Sequence, residues 1–169
     1  NALIEAVVAT NPNTVVVNNS GSPVAMPWLK RVPAVIQTWF AGQEFGNALM
    51  DLITGKANPS GKLPLTFPHR LEDTPAYTSY PGEFGKVQYG EGVFVGYRWY
   101  DTRDIEPLLP FGFGLSYTTF DISDLATDDA DEIFTVRCTV TNTGEEAGQE
   151  TVQVYVRPID KSVARPEKE

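Results

Sequence analysis

Apolar side chains at Leu3, Ala6 and Val7, with Ala2 beside them, recur at near-helical spacing until Asn11-Pro12-Asn13 interrupts them. Residues 1–9 therefore read as the end of a helix feeding a turn. Thr14-Val15-Val16-Val17 is a short β-branched run of the kind that fits a strand buried on both faces, and Val35-Ile36-Gln37-Thr38-Trp39-Phe40 is a second candidate strand. Between them Pro27-Trp28-Leu29-Lys30 suggests a short helical crossover. Ala41 to Gly46 makes a turn, and Ala48, Leu49, Leu52 and Ile53 then share one helical face ahead of Gly55, a natural residue just past a helix end. Alternating strands and helices with short links predict a parallel, helix-covered sheet through Leu63-Pro64-Leu65-Thr66-Phe67-Pro68.

From Pro68 to Pro110 proline, glycine and aromatic residues are dense and no period of 2 or 3.6 is sustained, which predicts a long extended connector lying across another surface. The nearly all-polar stretch Asp121–Glu132 follows. Alternation then returns at Ile133–Val140 and again at Thr151–Val156, separated by the turn residues Asn142–Glu146, so these two runs are expected to pair as a β-hairpin with a long loop. A β-sandwich of immunoglobulin or fibronectin type needs roughly 100 residues and seven strands. Residues 121–169 are too few, so such a domain would be incomplete, and the charged Glu167-Lys168-Glu169 ending fits a cut rather than a natural end.

The chain has 169 residues, 41% of them apolar, enough for one large domain or two small ones. Asp and Glu number 22 against 13 Lys and Arg, and the net charge of −9 argues against a nucleic-acid partner. No apolar run approaches the ~20 residues needed to span a bilayer, and no basic segment followed by an apolar one opens the chain. Neither membrane insertion nor a retained signal peptide is supported, and the compartment stays open between secreted and cytoplasmic. Cys138 is the one cysteine, which excludes an internal disulfide and any cysteine-cluster metal site. It shares parity with Phe134, Val136 and Val140 and is expected to be a small buried core residue. The sequon Asn18-Asn19-Ser20 follows directly on a strand-like run, a poor place for a glycan.

Two blocks carry more information than the rest: Tyr89-Gly90-Glu91-Gly92-Val93-Phe94-Val95-Gly96-Tyr97-Arg98-Trp99-Tyr100-Asp101, and Pro110-Phe111-Gly112-Phe113-Gly114-Leu115-Ser116-Tyr117-Thr118-Thr119-Phe120. With Asn13–Val24, Trp39–Gly46 and Asn58–Pro68 in series, they resemble the C-terminal region of family 3 glycoside hydrolases of the β-glucosidase type. Ala41, Phe45, Phe94 and Trp99 depart from the usual pattern of that family. The resemblance implies an α/β partial sandwich (the end of a mostly parallel helix-covered sheet, residues 1–68). After it come a long connector (69–118) and the first strands of a fibronectin type III-like β-sandwich (119–169). It also implies a non-catalytic C-terminal fragment of a retaining β-glucosidase that supports an active site built by upstream domains. Such chemistry needs two carboxyl groups about 5–5.5 Å apart. In the family one is an aspartate of the N-terminal domain and the other a glutamate upstream of Asn1, so no catalytic residue is expected in this chain. A β-glucoside would be met through the intact enzyme, no cofactor or metal is implied, and the protein partner would be the missing N-terminal portion or a second copy.

Three residues are candidates for substrate binding. Glu44 follows a strand end and opens a helix, where clefts of α/β sheets lie, although complementing the helix dipole accounts for it more simply. Glu91 stands between two glycines, placed to reach a cleft or to hold a turn. Trp99, with Tyr89, Phe94, Tyr97 and Tyr100, could stack on sugar rings or pack between domains. If exposed, these aromatics would suit the alternative of a free-standing carbohydrate-binding or interaction module. Gly112 and Gly114 lack the third glycine of a dinucleotide fingerprint and read as tight-turn residues, and His69, the one histidine, has no companions for a metal or a triad.

Overall fold

A computed structural model describes residues 1–130, 133–160 and 162–169. In chain order its regular elements are α1 (Ala2–Thr10), β1 (Val15–Asn18), β2 (Ala34–Gln37), α2 (Phe45–Ile53), α3 (Tyr97–Arg103), β3 (Phe120–Ala130) and β4 (Ile133–Asn142), with 3-10 turns at Leu29–Arg31 and Leu71–Asp73. They fall into two units that are not continuous in sequence. The first comprises Asn1–Gln43, Leu63–Phe113 and Val154–Glu169, and the second Glu44–Lys62 and Gly114–Gln153.

In the first unit the β-branched run of β1 pairs in parallel with β2, Val15 opposite Ala34 through Asn18 opposite Gln37. The 3-10 turn at Leu29–Arg31 lies on the crossover between them, as the sequence suggested. Polar side chains close the C-terminal end of the pair: Asn18 Nδ2 donates to Gln37 Oε1 at 2.6 Å, and Gln37 Nε2 donates to the Ser20 carbonyl at 3.1 Å. These bonds occupy the sequon's asparagine amide. Met26, Trp28 and Phe67 form the buried core, and Ile4, Val16, Val24, Val32 and Val35 pack on it. Trp28 Nε1 finds an acceptor in Asn1 Oδ1 at 3.0 Å, which removes the cost of burying an indole N–H.

Two expectations change here. Val15 is 48% exposed and Val17 36%, so β1 buries one face in this unit rather than two; only the Val16 side meets the core. On α1 the packed residue is Ile4, while Leu3 and Val7 point outward, because the apolar stripe spans two adjacent rows and the core takes only one.

The segment Leu63–Phe67 runs antiparallel to Leu109–Phe113. Phe67 N–H donates to the Leu109 carbonyl at 2.9 Å, Leu63 N–H to that of Phe113 at 2.8 Å, and Gly112 N–H to that of Leu63 at 2.8 Å. Gly112 has φ +80°, a turn conformation open to glycine at little cost. The stretch between these segments is not wholly extended: it holds α3 and a 3-10 turn, a correction to the connector read from sequence. Tyr97 and Tyr100 are three apart and Trp99 and Arg103 four apart, a helical spacing too short-lived to stand out in a glycine- and proline-rich region. Gly96, at φ +55° and ψ −136°, lets the chain turn into the helix, and Asp104 in the left-handed region ends it.

In the second unit α2 ends as its sequence predicts, with Gly55 at φ +75° donating to the Leu52 carbonyl. The antiparallel pair is β3 with β4, Phe120 opposite Asn142 and Ala130 opposite Ile133, with an irregularity between Ser123 and Ala126 where Asp124 takes φ +53°. The expected pairing of Ile133–Val140 with Thr151–Val156 is therefore wrong; residues 151–156 form no strand. Only Asp131 and Glu132 separate Ala130 from Ile133, a far shorter closure than the 142–150 loop would require. Those two residues end the polar stretch and lie outside the described residues. The polar composition of β3 hid it, although its Ile122 stands opposite Val140. Cys138 is half-buried rather than buried, since Phe134 on its side of β4 is 60% exposed.

Candidate functional site

The Gly-rich block Tyr89–Asp101 is a turn leading into α3. Gly92 N–H donates to the Tyr89 carbonyl and Phe94 N–H to that of Glu91 at 3.0 Å, while Gly92 at φ +57° permits the reversal. The turn holds Glu91 and Phe94, and α3 presents Trp99, Thr102 and Arg103, the spacing of one helical face. With Thr78 and Ser79 these side chains line a cavity of about 670 Å³ within the first unit. That volume falls in the range of small-molecule sites.

Trp99 is fixed from two sides. Its Nε1 donates to the Asp73 carbonyl at 3.0 Å, and the Arg103 guanidinium lies over its ring, 4.7 Å from the centroid. Asp73 is itself buried, with Oδ1 accepting from Arg70 Nε at 2.8 Å. The next residue of α3, Tyr100, is 4% exposed, and burial, followed by the nearby Asp73 charge, pushes its phenol above the usual range.

The structure thus brings Glu91 and Trp99 into one cavity. Glu44 belongs to the other unit, exposed at the start of α2, where its Oε2 accepts from Asn47 Nδ2 at 2.6 Å. That is a local helix-start contact. Of the other aromatics, Tyr89 is 82% exposed. Tyr97 packs within its own unit, 5.2 Å from Phe111 and 5.5 Å from Tyr155. Thr78, Ser79, Thr102 and Arg103 were not singled out in the sequence; the i, i+3 and i, i+4 offsets from Trp99 are the signal that would have found the last two.

A second cavity, about 610 Å³, is lined by Tyr100, Asp101 and Asp104 together with Tyr155 and Lys168. There Lys168 Nζ pairs with Asp101 at 3.2 Å and sits 5.1 Å from the Tyr155 ring centroid. Desolvation raises the Tyr155 phenol, and the Lys168 charge opposes that rise. Among the described residues no group of three His, Cys, Asp or Glu side chains could hold a metal, and no helix is long and apolar enough to cross a membrane. His69 is exposed.

Comparison with known proteins places this geometry. A family model described as the glycosyl hydrolase family 3 C-terminal domain matches residues 1–97, more than half of the chain. The chain belongs to glycosyl hydrolase family 3. Among family 3 relatives, the thermostable beta-glucosidase B of Acetivibrio thermocellus is 51% identical over the whole chain, which covers 23% of that protein. The GH3 beta-glucosidase of Bifidobacterium adolescentis is 48% identical and superposes with a TM-score of 0.94 over 99% of this chain and 25% of its own. A beta-glucosidase of Kluyveromyces marxianus, solved in complex with glucose, gives 46% identity and a TM-score of 0.91 over 99% of this chain and 20% of its own. The chain therefore spans about a fifth to a quarter of the length of these family 3 proteins, and its fold is an α/β arrangement of the family's C-terminal region.

Proposed function

We propose that this chain is the C-terminal part of a retaining β-glucosidase, an enzyme that hydrolyses terminal β-D-glucosyl residues, and that it supports the active site without supplying either catalytic carboxylate. The observation that carries the reading is the 51% identity, spread over the full chain, to a protein described as a beta-glucosidase. Glu44, exposed and bonded to its own helix, and Glu91, in a turn beside Trp99, belong to separate units.

In this reading residues 1–68 close the α/β sandwich domain, 69–118 connect it onward, and 119–169 open a fibronectin type III-like domain. The β3–β4 hairpin supports the last assignment: Ile122, its cross-strand neighbour Val140 and Phe134 share one face and are each more than 40% exposed, as an inward face awaiting further strands would be. The protein partner is the remainder of the same enzyme, or a second copy when that remainder is missing. Hydrolysis of an aryl β-glucoside by the full-length enzyme, followed by NMR of the released sugar, tests the activity. Release of β-glucose supports it; α-glucose, or no turnover on any β-glucoside, overturns it.

A further inference from the structure

The cavity lined by Glu91, Phe94, Trp99, Thr102 and Arg103 has an unusual chemical balance. The Glu91 carboxylate and the hydroxyls of Thr78, Ser79 and Thr102 make no hydrogen bond or ion pair within the described residues. Arg103 likewise has no carboxylate partner and spends its guanidinium on the face of Trp99. One carboxylate and one guanidinium cancel, so the cavity favours neither a polyanion nor a cation. What it offers is a strong acceptor, a strong planar donor, three hydroxyls that both donate and accept, and two aromatic rings.

That set matches a ring with apolar C–H faces and a rim of hydroxyls. A carboxylate accepts from two vicinal hydroxyls, the guanidinium donates to their oxygens, and an aromatic wall covers the C–H face. Trp99 is already held in place by its bond to the Asp73 carbonyl and by Arg103, so binding would order little that is not ordered beforehand. We propose that this cavity binds a neutral pyranose, with Glu91 and Arg103 reading the hydroxyls and the Phe94 and Trp99 wall taking the ring face. The volume of about 670 Å³ leaves room for a disaccharide. The assignment does not depend on the catalytic proposal, because it is drawn from this cavity's own groups.

The test uses cellobiose as the probe on the 169-residue chain labelled with 5-fluorotryptophan. The three tryptophans, Trp28, Trp39 and Trp99, report separately by fluorine NMR. A saturable shift of the Trp99 signal alone is expected, with Glu91→Gln weakening affinity by about tenfold, the cost of one charge-assisted hydrogen bond. An unmoved Trp99 signal, or equal linear drift of all three, overturns the proposal. If the isolated chain does not fold, hydroxyl-radical footprinting of the full-length enzyme gives the same decision. Oxidation of Phe94 and Trp99 falls several-fold with cellobiose, and the protection is lost in Glu91→Gln; unchanged oxidation refutes the site. A full-length enzyme that hydrolyses β-glucosides while Trp99 stays unprotected sinks the pocket and leaves the enzyme. Protection without turnover does the reverse.

Discussion

The two units are held together by different physics. In the first, Met26, Trp28, Phe67 and Tyr100 are each at most 4% exposed. In the second no apolar side chain among the described residues is buried; Thr118 is its one buried residue. There the long-range contacts are polar and converge on two side chains of the segment after α2. Asn58 Oδ1 accepts from Ser116 Oγ and from the Tyr117 N–H, both at 2.8 Å, while its Nδ2 donates to the Ala147 carbonyl at 2.9 Å. Lys62 Nζ donates to the Gly114 carbonyl at 2.8 Å and pairs with Glu150 at 2.8 Å, with both charged side chains mostly buried. Two close backbone approaches add to this: a Cβ at Gly114 would lie 2.3 Å from the Gly61 carbonyl oxygen, and one at Gly144 2.3 Å from Thr118 Oγ1. A unit with an apolar core can stand on burial; one without it depends on fully satisfied polar groups.

The largest separation should come from truncating the first core. Phe67 is 1% exposed, and Phe67→Ala should cost ~3–5 kcal/mol, read as a lowered urea midpoint with the loss of slow-exchanging amides in the first unit. A result below about 1 kcal/mol would mean that this core is not the stabilising element described. In the second unit Lys62→Met leaves Glu150 without its cation and should cost ~2–4 kcal/mol, although no apolar contact is removed. The same pair sets a pH dependence. Its hydrogen bond to Lys62 holds the Glu150 carboxyl below the usual range, so its contribution is complete above the unfolded carboxylate value and fades as pH falls through that range towards the folded one. Acid titration of the stability should flatten in Glu150→Gln; an unchanged slope would assign the acid sensitivity elsewhere. Asn58→Ala strands two donors and an acceptor and should cost ~1–3 kcal/mol, visible as faster amide exchange at Tyr117. Smallest of all, Glu5→Gln breaks an exposed pair with Arg31 and should shift stability by less than about 0.5 kcal/mol.

The same contrast explains what could be read beforehand. Hydrophobic periodicity located α1, β1, β2 and α2 to within a few residues, because each carries a run that matches its own period. It named the wrong row of α1, since Leu3 and Ile4 satisfy the helical pattern equally and only the core's position chooses Ile4. It missed β3, whose Asp121, Asp124, Asp128 and Asp129 carry no apolar signal and whose strand is specified by pairing with β4. It missed α3 because seven residues hold fewer than two complete turns. At the candidate site the sequence marked Glu91 and Trp99 through a dense motif, but not Thr78 and Ser79. Those two lie more than ten residues before Glu91 and reach it only through the turns of the intervening chain.

The exposed apolar residues of both units sharpen the comparison once more. Leu3, Val15, Ile122, Leu125 and Phe134 leave apolar surface uncovered, so the isolated chain should be stable only in self-association or beside the rest of its enzyme. Its urea midpoint should rise with protein concentration; a concentration-independent, cooperative monomer transition would contradict this.

The most direct measurement for the account as a whole is turnover of a chromogenic β-glucoside by the purified chain, with an intact mass of 18.6 kDa establishing that nothing larger is present. The account predicts no hydrolysis by this species and hydrolysis by the full-length enzyme. Turnover by the 18.6 kDa chain alone would contradict it and would place a catalytic carboxylate here, with Glu44 and Glu91 the first to be replaced.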